Sequence, residues 1–216
     1  MTTLRYAYLH GFASGPDARK GTFLARELAP RGVHLERPDL SRPSFSRLTV
    51  TAALGALDEL HAGGPSDTRW RFVGSSFGGY LAARWAELHP ERVDRLVLLC
   101  PAFGLRLGWE DVVGAGAFER WRTTGWHDFP NAEGVPTPVH WGFLVDAASH
   151  PDVPEVACPT RLVHGTRDEV VPFAFSVAYA AARPHVSLVE VDDGHPLDAS
   201  YQRILDEVVG FFELAG

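Results

Sequence analysis

Trp70-Arg71-Phe72-Val73-Gly74-Ser75-Ser76-Phe77-Gly78-Gly79 passes from a strand-like apolar run into the start of a helix within a single tight turn. The run contains Gly-x-Ser-x-Gly with Ser76 at its centre. A turn this sharp forces strained backbone angles on the central residue, and the positions two before and two after it come too close for a β-carbon. Glycine at 74 and 78 removes that clash. Ser75 is a poor rival, because its flanks would be Val73 and Phe77. The pattern arises by chance in roughly one chain of this length in fifteen. Its place between a strand and a helix is what makes it informative. Ser76 is the candidate nucleophile.

The same alternation extends in both directions. Leu4–Leu9, Val33–Leu35, Trp70–Val73, Val93–Leu99, Thr160–Val163 and Val186–Val191 read as strands. Thr22–Ala29, Phe45–His61, Gly78–His89, Phe173–Ala182 and Ala199–Leu214 read as helices between and after them. Val93–Leu99 is nearly continuous in apolar residues, as expected of a strand buried on both faces. Strand–helix alternation of this kind predicts an α/β fold, a doubly wound and mostly parallel six-stranded sheet with helices on both sides.

Residues 104–156 break the rhythm, with weak helical periodicity and no clear strand. They hold Trp109, Trp121, Trp126 and Trp141. A segment this long inside a compact domain is functional or forms a small unit of its own. The expectation is a helical cap with its own minor core over a sheet domain made of residues 1–103 and 157–216. The aromatic underside of the cap, including those four tryptophans, would then line a substrate pocket.

Composition bounds the partners. Twenty Lys plus Arg against 27 Asp plus Glu leave a net charge of −7, which argues against nucleic acid or an anionic membrane surface as partner. Lys20 is the only lysine. No apolar run is long enough for a membrane-spanning helix, and the first residues lack the apolar core of a signal peptide. Cys100 and Cys158 fall at opposite ends of the predicted sheet, so a disulfide is not expected. A cytoplasmic protein fits these features.

A serine hydroxyl needs a base. His195, in Asp192-Asp193-Gly194-His195-Pro196, follows the last predicted strand and so shares the sheet edge with Ser76. His127, His140 and His150 have spacings that match no zinc pattern, and no metal or organic cofactor is expected. Asp168, in His164-Gly165-Thr166-Arg167-Asp168, follows the fifth strand and is the candidate acid. Asp192 and Asp193 are too near His195 in sequence to aim at its ring. Asp146 is an outside candidate. Two donors are needed for the charge that develops on a carbonyl oxygen, and the backbone N–H groups of Phe12 and Phe77 are placed to supply them.

Taken together, His10-Gly11-Phe12, Gly74-Ser75-Ser76-Phe77-Gly78-Gly79, His164-Gly165-Thr166-Arg167-Asp168 and Gly194-His195 resemble the α/β-hydrolase superfamily. Leu9-His10-Gly11-Phe12-Ala13-Ser14-Gly15-Pro16 and Gly74–Tyr80 are similar to the small YqiA-like esterases. The resemblance implies Ser76 as nucleophile, Asp168 as acid, His195 as base, and Phe12 and Phe77 as oxyanion donors. Two features depart from the pattern: the antiparallel strand pair that opens many members is absent, and the insertion is longer. The expectation is therefore a serine hydrolase of small-molecule carboxylic esters with small to medium acyl or aryl groups. Thioesterase, peptidase and carbon–carbon bond hydrolase chemistry can run on the same triad, and a non-catalytic binding protein is the alternative from another class.

Overall fold

The computed structural model describes residues 2–214. Six strands form one sheet: β1 (Thr3–Leu9), β2 (Leu35–Glu36), β3 (Thr68–Ser75), β4 (Val93–Leu99), β7 (Thr160–Gly165) and β8 (Val186–Val191). Their order is β2-β1-β3-β4-β7-β8, and every pairing is parallel. The chain leaves β1 toward one edge and returns on its other side as β3. Strand order therefore reverses between β1 and β3, where a crevice opens at the carboxyl ends of open α/β sheets.

Alternating side chains divide the core into two layers. Ala7 and Leu9 of β1, Trp70 and Phe72 of β3, and Leu96 and Leu98 of β4 pack on one face, against α2 (Val50–Ala62), α3 (Phe77–Leu88) and α7 (Phe173–Ala181). Tyr8, Val73, Val97 and Leu99 point to the other face and meet α1 (Arg19–Leu28) and α8 (Tyr201–Phe211). Both faces are buried, which is why β4 reads as a continuous apolar run.

Three elements begin later than the sequence pattern predicts, among them the closing helix, which starts at Tyr201 rather than Ala199. The helix expected from Phe45 starts at Val50, because Thr49 is extended and its hydroxyl accepts the Ala52 N–H at 3.0 Å, capping the helix there. The second strand is displaced to Leu35–Glu36.

The insertion differs more. It holds α4 (Trp109–Val113), α5 (Ala115–Thr124) and α6 (Gly142–Ala147), but also an antiparallel hairpin of β5 (Trp126–Pro130) and β6 (Pro136–His140) where no strand is expected. Pro130, Pro136 and Pro138 lie in its strands. Proline removes ladder donors and is confined to edges, so a two-stranded ribbon can carry it while the sequence shows no strand signal. Among the described residues, the buried side chains of the insertion are continuous with the core over the sheet. Trp121, Phe129, Val139 and Phe143 are buried in the same cluster as Phe77 and Tyr80 of α3. Asp146 and His150 tie it to α2, the Asp146 carboxylate accepting the Thr51 N–H at 2.9 Å and the Thr51 hydroxyl at 2.7 Å.

Candidate active site

The turn after β3 has the predicted strain. Ser76 adopts φ 53° and ψ −115°, and its N–H donates to the Leu99 carbonyl at 2.9 Å. A β-carbon on Gly74 would lie 2.5 Å from the Gly78 carbonyl oxygen, and one on Gly78 would lie 2.1 Å from the Leu9 carbonyl oxygen. Gly11, in the loop after β1, brings its backbone against Ser76: a β-carbon there would sit 3.4 Å from Ser76 Cβ. The adjacent His10 is buried, accepting the Leu40 N–H at Nε2 (3.0 Å) and therefore donating from Nδ1 to the Gly11 carbonyl (2.9 Å). Burial lowers the His10 pKa below the usual imidazole range. Among the described residues, neither the Phe12 nor the Phe77 backbone N–H donates to a protein acceptor.

The loops after β7 and β8 are laced to each other. The Thr166 N–H donates to the Val191 carbonyl (2.9 Å) and the Arg167 N–H to the Asp193 carbonyl (3.0 Å). Gly165 permits that approach, because a β-carbon on it would lie 2.4 Å from the Asp193 carbonyl oxygen. Asp193 braces the second loop from within. Its carboxylate accepts the Gly194 N–H (2.8 Å), the Ala199 N–H (2.9 Å) and the Ser200 hydroxyl (2.8 Å). Asp192 pairs with Arg167 at the surface.

These loops bring Asp168, His195 and Ser76 together. His195 Nδ1 lies 2.7 Å from Asp168 Oδ2, and His195 Nε2 lies 2.9 Å from Ser76 Oγ. With Nδ1–H donating to the carboxylate, Nε2 is left as the acceptor of the Ser76 hydroxyl proton. The Asp168 side chain is fully enclosed. Oδ1 accepts the N–H groups of Val170 and Val171, each at 2.8 Å, and a second imidazole, His164, approaches Oδ2 at 3.1 Å. His164 is held in turn by Ser176, whose hydroxyl is 2.7 Å from its Nδ1. Burial by itself would raise the Asp168 pKa, but the hydrogen bonds from His164 and His195 outweigh it and hold the carboxyl well below its ordinary range. Asp168 is therefore an anion at neutral pH.

Among the described residues, one group of three metal-ligand types is close enough to share an ion: Cys100, Asp168 and His195. The donor set fits a metal poorly. Burial raises the Cys100 thiol pKa, keeping it protonated, and the other two groups are spent on each other.

A cavity of about 700 Å³ opens on Ser76 and His195. Phe12, Trp109, Phe129 and Phe175 line much of it. Of the four tryptophans expected there, Trp109 alone is a lining residue. Trp121 is fully buried behind it, its indole N–H donating to the Val139 carbonyl at 2.9 Å. Trp126 lies outside against the Arg47 guanidinium, and Trp141 packs between Phe118 and Trp121. Phe175 and Val170, which sequence reasoning missed, enter from the start of α7 and the loop before it. Their signal is the apolar run Val170-Val171-Pro172-Phe173-Ala174-Phe175 just after a candidate acid.

A family model described as uncharacterised protein family UPF0227 matches residues 5–213. The chain belongs to that family. This UPF0227 member has the α/β-hydrolase fold. It superposes on Est1E from Butyrivibrio proteoclasticus, solved with ferulic acid bound, with a TM-score of 0.80 over 98% of this chain and 89% of that one, at 20% identity. Mouse alpha/beta hydrolase domain-containing protein 10 gives a TM-score of 0.78 over 99% of this chain and 90% of that one, at 21% identity. In sequence, the UPF0227 chain is 30% identical over 126 residues to the palmitoyl-protein thioesterase ABHD10 of rat mitochondria, covering 54% of this chain and 42% of that protein. Its matches span less than half the length of the curated relatives it resembles.

Proposed function

We propose that this chain is a serine hydrolase of carboxylic esters carrying small to medium acyl or aryl groups, working through an acyl-enzyme. The observation that supports it most is the relay from the Ser76 hydroxyl to His195 at 2.9 Å and from His195 to the enclosed, ionised carboxylate of Asp168 at 2.7 Å. Ser76 Oγ attacks the ester carbonyl carbon as His195 Nε2 takes its proton. The Phe12 and Phe77 N–H groups meet the charge that moves onto the carbonyl oxygen. Asp168 remains an anion and offsets the charge on the imidazolium. His195 returns the proton to the alkoxy oxygen as the carbon–oxygen bond breaks. A water then gives a proton to His195 and attacks the acyl carbon, and His195 passes that proton to Ser76 Oγ as the bond between acyl carbon and Oγ breaks, releasing the acid and free Ser76. These steps balance without a metal or organic cofactor, and the aromatic cavity suits an apolar acyl or aryl group.

Thioester hydrolysis is the second reading, favoured by the name of the rat relative. The same relay serves it, and rates on an oxygen ester and a thioester of one acid separate the two.

A serine-directed fluorophosphonate tests the class. The folded wild type is expected to form an adduct on Ser76. Ser76→Ala is expected to form none and to turn over p-nitrophenyl butyrate at least about 10⁴-fold more slowly, with its melting temperature retained. A folded wild type that stays unlabelled overturns the reading in favour of a non-catalytic binding protein.

A further inference from the structure

A second cavity, of about 530 Å³, also opens on Ser76 and His195. Its chemistry differs from that of the first. Ser14, Lys20, Glu133, Asp198 and Tyr201 line it, so it presents donors and acceptors of both charges. Phe12 borders both chambers. The β5–β6 hairpin stands between them, with Phe129 and Pro130 facing the aromatic chamber and Ala132 and Glu133 facing the polar one. The chain's single lysine is anchored here. Lys20 Nζ donates to the Pro196 carbonyl at 2.5 Å, next to His195, and this bond occupies one of its three protons.

We infer that the polar chamber receives the alcohol half of the substrate, and that the enzyme selects esters joining an apolar acid to a hydroxyl-rich alcohol. The inference rests on the serine-hydrolase reading and extends it to the leaving group. Two halves of one ester flank the attacked carbon, and two chambers of opposite character flank Ser76. The polar one contains His195 together with Pro196 and Asp198 of the same loop. A group held there lies beside the imidazole that must hand its proton to the departing oxygen. Two cations, Arg19 and Lys20, and three carboxylates, Asp17, Glu133 and Asp198, line the chamber, and this mixed charge favours a neutral group that both donates and accepts, as vicinal hydroxyls do, over an anion that the carboxylates would repel.

The test compares methyl and 2,3-dihydroxypropyl esters of 3-phenylpropanoic acid, alongside phenylpropyl esters of glyceric acid, which reverse the polarity. The dihydroxypropyl ester is expected to exceed the methyl ester at least tenfold in kcat/KM. Lys20→Met should cut that ratio about tenfold, the cost of one charged hydrogen bond, and Glu133→Gln should cut it less. A ratio near one in the wild type overturns the inference, as does a high ratio that neither substitution changes. Preference for the reversed-polarity ester overturns the assignment of the halves. In each of these cases fluorophosphonate still labels Ser76. Failure of labelling removes the parent reading and this inference with it.

Discussion

Gly78 and Gly116 are each the second residue of a helix, one at the crest of the sheet and the other in the insertion. A β-carbon on Gly78 would lie 2.1 Å from the Leu9 carbonyl oxygen and 2.6 Å from that of His10. On Gly116 the nearest atom would be a flexible Arg120 guanidinium nitrogen at 3.6 Å. At the crest, the ends of β1 and β3 and the start of α3 are pressed together, so backbone geometry dictates residue type. In the insertion, helices and a ribbon are held down by interlocking rings. Phe12, for example, has Phe45, Trp109 and Phe129 at centroid distances of 5.1–5.2 Å. Packing of that kind asks for bulk and shape, which many sequences supply.

The sharpest way to break this comparison is to make the same substitution in both places. Gly78→Ala is expected to cost about 3–5 kcal/mol in urea unfolding, because backbone must move to admit the methyl group. Gly116→Ala is expected to be neutral or to stabilise by up to about 1 kcal/mol, by restricting the unfolded chain at a helix-compatible site. Equal effects would show that the crest is looser than its contacts imply. Within the insertion, Trp109→Ala should shift the decanoate-to-butyrate ratio of kcat/KM about tenfold toward the longer acid, since it enlarges the aromatic chamber. Trp126→Ala should leave that ratio within about twofold, because its ring faces Arg47 rather than the chamber. A matching shift in both variants would mean that the insertion acts as a whole and not through its lining.

The smallest effect concerns His10 and pH. Burial lowers its folded pKa, so below about pH 6.5 the unfolded state binds a proton that the folded ring resists. Stability should therefore fall as the solution is acidified through that range, with a slope of at most about 1.4 kcal/mol per pH unit from this one group. Urea unfolding at pH 7.0 and 5.5 should show a greater loss in the wild type than in His10→Gln. An equal loss would mean that the loop after β1 relaxes enough to hydrate the ring.

What could be read in the sequence follows the same division. The tight turn at Ser76, the mostly parallel six-stranded sheet, and the loops carrying Asp168 and His195 were legible because Gly74 and Gly78 are required by close backbone approach, and because strand–helix alternation has a definite period. The β5–β6 hairpin was hidden by Pro130, Pro136 and Pro138, which erase strand propensity without preventing a short ribbon. The destinations of the four tryptophans were hidden for another reason. Trp109 at the chamber wall and Trp121 behind it are 12 residues apart on successive helices, and composition does not tell an inward ring from an outward one. The polar chamber was invisible too. Its residues come from the loop after β1, the start of α1, the hairpin turn and the segment around Asp198, which no local pattern connects.

The turn between β5 and β6 is closed on itself. Asn131 Oδ1 accepts the N–H groups of Glu133 and Val135, and Gly134 takes φ 77°. The partition between two unlike rooms thus ends in a self-supporting tip whose shape depends little on what lies below. Lengthening or shortening those few residues would resize one room against the other while the sheet and the turn that carries Ser76 stayed as they are.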